Sequence, residues 1–261
     1  MFLVKYDSSG VKQWNRTWGG ITEDYCIGVA VDSSDNVYVA GGTNSFGAGS
    51  FDMVLVKYDS SGVQQWNRTW GENYEDYGVG VAVDSSDNVY LTGWTGSWGP
   101  PSSEDMVLVK YDSSGVQQWN RTWGGIARDY GRGVVVDSSD NVYLAGETGS
   151  FGEGWEDMVL VKYDSSGVQQ WNRTWGGNVF DYGTGVTVDL SDNVYVAGWT
   201  NSFGEVSGDL SGSGDIFLVK FGAEKREGIQ AVPGYDLLLF ISIIGVITAL
   251  YLNKIRFSGS L

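Results

Sequence analysis

The chain has 261 residues, a formal charge of −16, 14% aromatic residues and no histidine. An acidic surface of this size is repelled by nucleic acid phosphates, and the missing histidine removes the commonest general base, the usual catalytic triads and most zinc sites. Cys26 is the single cysteine, so no disulfide can close within the chain, while 39 glycines against 3 prolines suit many short strands joined by tight turns.

The first segment, Met1 to Asp7 (MFLVKYD), aligns with DMVLVKYD at Asp105 to Asp112. The chain therefore starts inside a repeating unit and reads as the C-terminal part of a longer gene product. The clearest copy of that unit is VKYDSSGVQQWNRTWGG at Val109 to Gly125, with near copies at Val4 to Gly20, Val56 to Gly71 and Val161 to Gly177. Their leading tryptophans, Trp14, Trp66, Trp119 and Trp171, are spaced by 52, 53 and 52 residues. A fixed period of this length means one supersecondary unit per copy, which buries its apolar faces only by stacking on its neighbours. The positions matching Cys26 hold Gly78, Gly131 and Gly183, so Cys26 is expected to pack as a small residue.

Each unit carries four strand-like runs. In one full copy these are Val79–Val83, Asn88–Trp94, Met106–Tyr111 and Val116–Trp123. The third is apolar at nearly every residue, which implies burial on both faces. A GxG such as Gly78 and Gly80 opens a strand and has no helix after it, so it is not a dinucleotide loop. Asp112-Ser113-Ser114-Gly115 suits a type I turn with glycine in the left-handed position. The pairs Asp32/Asp35, Asp84/Asp87, Asp137/Asp140 and Asp189/Asp192 fit Asx-type turns, with calcium ligation as the alternative, and no further ligand residues lie nearby in the sequence. Trp119 and Trp123 share one face of the fourth run, a packing face or a sugar-stacking platform.

The pattern DMVLVKYDSSGVQQWNRTWGG followed by DYGxGVxVDSSDNVY resembles the SBBP β-propeller repeat. GVAVDSSDNVYVAG is similar to NHL-type blades, and YDSSGVQQW to the tryptophan-docking motif of quinoprotein propellers. The resemblance spans residues 1 to about 221 and implies an all-β propeller of about four blades, with no catalytic residues attached. NHL-like phasing makes GVAV the innermost strand, with full blades at about 27–71, 78–124 and 131–176. Two strands remain at the N-terminal side (Phe2–Tyr6, Val11–Trp18) and three at the C-terminal side (Gly183–Val188, Asn193–Trp199, Ile216–Phe221). Closing a four-bladed ring leaves one strand surplus, visible as FLVK at both Phe2–Lys5 and Phe217–Lys220. The expected propeller, residues 1–221, is incomplete or imperfectly closed.

After it come a linker (222–234), an expected transmembrane helix (235–253) and a cytoplasmic tail (254–261). Sixteen uncharged residues, Leu237 to Leu252, give about 24 Å of helix, and Lys254 and Arg256 beyond them orient the C-terminus inward. Pro233-Gly234-Tyr235, the apolar run and the basic end resemble the archaeal PGF-CTERM sorting signal, with Tyr235 where that signal has phenylalanine. This resemblance implies a membrane partner and a propeller displayed outside the cell.

Alternation of strand direction gathers two sets of variable loops on one face, those before the first strand and those between the second and third. That face is the expected binding surface, with Trp98, Trp155, Glu153 and Asp209 as candidates. Asn15, Asn67, Asn120 and Asn172 each open an Asn-Arg-Thr glycosylation acceptor. The acidic residues mostly recur in every copy, whereas hydrolytic chemistry needs one asymmetric constellation. The sequence thus favours a non-enzymatic adhesion, binding or envelope module, needing no metal or cofactor, with an extracellular protein or glycan as partner. A polysaccharide lyase or hydrolase using loop carboxylates is the alternative.

Overall fold

The structure, a computed structural model, describes residues 1–100, 103–203 and 214–222. Asp209, the expected linker beyond Gly222, the expected membrane helix and the tail lie outside the described residues.

The described chain forms five antiparallel sheets in sequence. The first holds β1 (Phe2–Tyr6) and β2 (Lys12–Thr17). The second holds β3 (Asp24–Val31), β4 (Val37–Thr43), β5 (Asp52–Tyr58) and β6 (Gln64–Trp70), and the third β7 (Asp76–Val83), β8 (Val89–Thr95), β9 (Asp105–Tyr111) and β10 (Gln117–Trp123). The fourth holds β11 (Asp129–Val136), β12 (Val142–Thr148), β13 (Asp157–Tyr163) and β14 (Gln169–Trp175); the last holds β15 (Asp181–Val188), β16 (Val194–Thr200) and β17 (Asp215–Phe221). Each four-stranded sheet is a simple meander, and the first strands β3, β7, β11 and β15 lie beside one another in succession. The division into two, four, four, four and three strands matches the sequence reading. The ring closure does not appear, because β1–β2 and β15–β17 are separate sheets with no strand pairing between them.

Burial follows the letters. The third strands β5 and β9 are buried along their whole length, since Met53 and Leu55 face the next blade while Val54 and Val56 face the preceding one. The first strands begin four residues before the GVAV run, with a bulge between Gly78 and Gly80. Glycine is required there by close approach: a Cβ on Gly78 would lie 2.5 Å from the Gly41 carbonyl oxygen of the preceding blade. Cys26 fills the matching place in β3, where the first sheet supplies no such strand, and its thiol lies 3.6 Å from the Phe2 carbonyl.

Polar clamps complete each junction. Lys57 and Trp66 donate to the Ser113 carbonyl at 3.0 and 3.4 Å, and Arg68 Nε donates to the Gly115 carbonyl at 2.6 Å. One blade therefore grips the Asp-Ser-Ser-Gly turn of the next, in which Gly115 has φ +81°. The tryptophans of the fourth strand are packing residues. The paired aspartates divide their labour: Asp84 accepts from the Ser86 and Asn88 amides within its turn, whereas Asp87 accepts from Ser33 of the preceding blade.

Candidate functional site

The strand ends on the variable-loop face carry a run of aromatic rings. Tyr25, Phe51, Tyr77, Trp94 and Tyr130 follow one another with ring centres 4.2 to 5.7 Å apart, crossing from the second sheet to the fourth. The aspartate–tyrosine pair that opens each first strand supplies the tyrosines, with the aspartate turned in to hold its loop. Next in chain order, Phe180, Tyr182 and Trp199 form a second aromatic group, and Trp155 meets Phe180 edge-on at 5.4 Å.

Between the fourth and fifth sheets this face opens into a cavity of about 530 Å³. Here the repeat breaks. Arg132 stands where the other first strands have Ile27, Val79 and Thr184, and Glu147 stands where the other second strands have Gly42, Trp94 and Trp199. Arg132 Nε donates to both Glu147 oxygens, at 2.9 and 3.1 Å, and Nη2 donates to Oε1. Glu147 is only 1% exposed. Burial pushes its carboxyl up, against the opposing pull of Arg132. Burial disfavours the Arg132 charge, but hydrogen bonding to Glu147 outweighs that and holds the guanidinium above its ordinary value. The guanidinium stays charged at neutral pH, because it does not give up its proton.

The cavity has a second polar group. Tyr182 donates its hydroxyl to Glu156, and burial together with that bond raises the phenol. Arg132 lies 5.2 Å over the Tyr130 ring, a cation–π contact, and burial lifts the Tyr130 phenol to about 12. At the rim Arg128 pairs with Glu104 at 2.9 Å. A larger cleft of about 610 Å³ lies beside Tyr74, Glu75 and Glu104, but its walls are mostly loop backbone and small residues and hold no comparable cluster.

Sequence reasoning sought the site in the loops and missed Arg132, Glu147 and Glu156. The signal available for Arg132 and Glu147 was their departure from the repeat at strand positions, whereas Glu156 recurs as Glu104 in the preceding blade. Of the loop candidates, Trp155 is 63% exposed at the outer side of the Phe180 group, and the backbone amide of exposed Glu153 donates to Asp157. Trp98 is half-buried on Trp70, ring centres 4.3 Å apart, and Phe46, Phe151 and Phe203 do the same on Trp18, Trp123 and Trp175. Trp98 is therefore one of a set of staples between loop and fourth strand. Asn15, Asn67, Asn120 and Asn172 are all exposed, on the side of the fourth strand opposite its tryptophans. Among the described residues no group of three acidic, cysteine or histidine side chains is gathered to hold a metal.

Residues 19–47, 67–97, 123–152 and 176–204 each match the family model SBBP, described as a beta-propeller repeat. The chain is built of β-propeller repeats. It is 22% identical over 201 residues to an uncharacterized WD repeat-containing protein of Acanthamoeba polyphaga mimivirus, covering 63% of this chain. It is 28% identical over 135 residues to the regulatory protein FlaEY of Caulobacter vibrioides, covering 46% of this chain. In each case the match spans 14% of the relative's length. A protein of unknown function from Bacteroides caccae aligns in structure with TM-score 0.45 and 10% identity, over 75% of this chain and 63% of the other. A gluconolactonase of Xanthomonas campestris gives 0.43 and 11%, over 74% and 61%.

Proposed function

We propose that this β-propeller is a non-enzymatic binding module that takes up a glycan on its variable-loop face, in the cavity around Arg132 and Glu147. One observation carries the reading. The repeat is broken there by an ion pair, Glu147 buried and Arg132 partly exposed, set among aromatic rings. Aromatic faces stack on the apolar faces of sugar rings, and a few convergent polar groups fix orientation in such concave sites. The two carboxylates that line the cavity are already engaged, Glu147 by Arg132 and Glu156 by Tyr182. That engagement favours holding a ligand over hydrolysing one. The expected membrane helix beyond the propeller would present this face outside the cell.

Glycan-array screening followed by calorimetry on the best hit tests the reading. Trp155→Ala should weaken that binding roughly tenfold, corresponding to about 1.4 kcal/mol. Absence of any glycan binding, or turnover of a bound polysaccharide, would reject the non-enzymatic proposal. Deleting residues 233–261 should move the protein from the membrane fraction to the soluble one, and a full chain that is soluble without detergent would reject the anchor.

A further inference from the structure

We propose, on the reading that the propeller is displayed outside the cell, that its fourth strands carry N-linked oligosaccharides. Asn67 on β6 and Asn120 on β10 are the principal acceptors, with Asn15 on β2 and Asn172 on β14 as their counterparts. Asn67-Arg68-Thr69 and Asn120-Arg121-Thr122 have the acceptor letters, an asparagine with threonine two places on. No asparagine outside the fourth strands has serine or threonine at that spacing. Asn36, Asn88 and Asn141 instead lie in turns, where their side-chain amides donate to Asp32, Asp84 and Asp137 at 2.8 to 2.9 Å.

Strand alternation divides the segment into two faces. On one face of β6, Trp66 donates to the Ser113 carbonyl, Arg68 donates to the Gly115 carbonyl and Trp70 packs on Trp98. That face is committed to the next blade and to a loop. Gln65, Asn67 and Thr69 lie on the other face, and all three are exposed. Gln65 is tied to its own turn, donating to Asp59 at 2.8 Å. Asn67 is fixed only through its main chain, whose carbonyl accepts from Arg68 Nη1 at 2.7 Å. Its side-chain amide and the Thr69 hydroxyl form no hydrogen bond among the described residues. Asn120 repeats the arrangement, its carbonyl accepting from Arg121 at 2.6 Å. Mere exposure does not demand these letters. At the exposed position of Lys12 the other copies have Gln64, Gln117 and Gln169, whereas asparagine and threonine stand two apart in all four.

The place of the strand in the sheet gives access. β6 and β10 each end their sheet and pair on one side only, so a bulky group on them meets no further strand. The Arg132 cavity is lined from β11, β12, β15 and β16, the first and second strands, so an oligosaccharide on a fourth strand leaves it open. A sugar there also shields the unpaired edge from strand addition by another chain. The reaction is a glycosyl transfer from a lipid-phosphate-linked oligosaccharide, catalysed by a membrane transferase of the same cell. The asparagine side-chain nitrogen bonds to the anomeric carbon, and the bond from that carbon to the phosphate oxygen breaks. The lipid phosphate leaves with the electron pair, and the amide proton passes to a base of the transferase.

The test uses the full chain purified from its own cells, with protease shaving of intact cells run in parallel. Mass spectrometry of proteolytic peptides should find a sugar increment on Asn67 and on Asn120 that fragments by loss of sugar units. Thr69→Val should abolish the increment at Asn67 and leave Asn120 modified. Thr69→Ser, which restores the hydroxyl, should retain both, and an unchanged circular dichroism spectrum shows that each variant folds. A chain that is shaved from intact cells but bare at Asn67 and Asn120 overturns the glycans and leaves the external display standing. A chain that is bare and also protected from the protease overturns both. An increment at Asn67 that persists in Thr69→Val reports a different chemistry and overturns the assignment.

Discussion

The Arg132–Glu147 pair is the residue-level feature with the largest consequences. Burying the Glu147 carboxylate costs several kcal/mol in desolvation, and its attraction to Arg132, a side chain still 39% exposed, seldom exceeds that cost, so such a pair is a poor device for stability alone. The neighbouring blade solves the same packing problem with Val79 and Trp94. Arg132→Val alone should therefore destabilise by about 3–5 kcal/mol, because it strands Glu147 in a site that is 1% exposed. Arg132→Val with Glu147→Trp, which copies the neighbour, should recover that loss and match or exceed the parent by roughly 1–4 kcal/mol. Urea denaturation measures both. If the double variant regains stability and loses glycan binding, the pair is retained for the site. If it remains as unstable as the single variant, the pair is structural.

At the level of elements, the fourth strand is the clamp of each blade, and its arginine carries much of the grip. Arg68 donates to the Gly115 and Ser114 carbonyls of the next blade, at 2.6 and 3.4 Å. Arg173, in the matching place on β14, donates among the described residues only to the adjacent Asn172 carbonyl, at 2.7 Å. Hydrogen bonds from a charged donor contribute roughly 1.5–3 kcal/mol, so Arg68→Ala should cost about that much, and Arg173→Ala well under 1 kcal/mol. Thermal melting of the two variants makes the comparison. Equal costs would mean that the grip is not what stabilises the blade. The strands themselves were legible from the letters, because a period-two pattern, an all-apolar third run and Asp-Ser-Ser-Gly turns each admit one local structure. The GxG lies inside β7, and the close approach of Gly78 to the Gly41 carbonyl is a contact between blades that no single repeat displays. The candidate site was less legible for the same reason. Trp98, a binding candidate from its loop, is held by Trp70 beneath it, and Arg132 and Glu147 lie 15 residues apart in the chain and meet only through the pairing of β11 with β12.

On the scale of the whole molecule, the same electrostatic motif recurs at three blade junctions, so its effect is multiplied. Burial, assisted by the neighbouring carboxylates of Asp76, Asp129 and Asp181, pushes Asp52, Asp105 and Asp157 up to about 6 from an ordinary value of 3.8. One carboxylate oxygen at each junction, on Asp76, Asp105 and Asp157, is buried without a hydrogen-bond partner. A carboxyl whose value is raised on folding is protonated more readily in the folded state. Its contribution to stability is full below pH 4 and is lost as pH rises through about 6. The turn aspartates Asp7, Asp59, Asp112 and Asp164 act in the opposite sense. Serine hydroxyls and backbone amides hold them below the ordinary value, so what they contribute is present at neutral pH and lost as pH falls below about 4. The two groups together predict maximal stability near pH 4, with a decline from there toward pH 6 set by the junctions. Asp105→Asn isolates one of them. Its amide supplies a donor where two carboxylates face each other, and it cannot ionise. The difference in melting temperature between Asp105→Asn and the parent should therefore shift in the variant's favour as pH rises from 4 to 7. A difference that stays constant over that range would show that the junction carboxylates are not what weakens the fold toward neutrality.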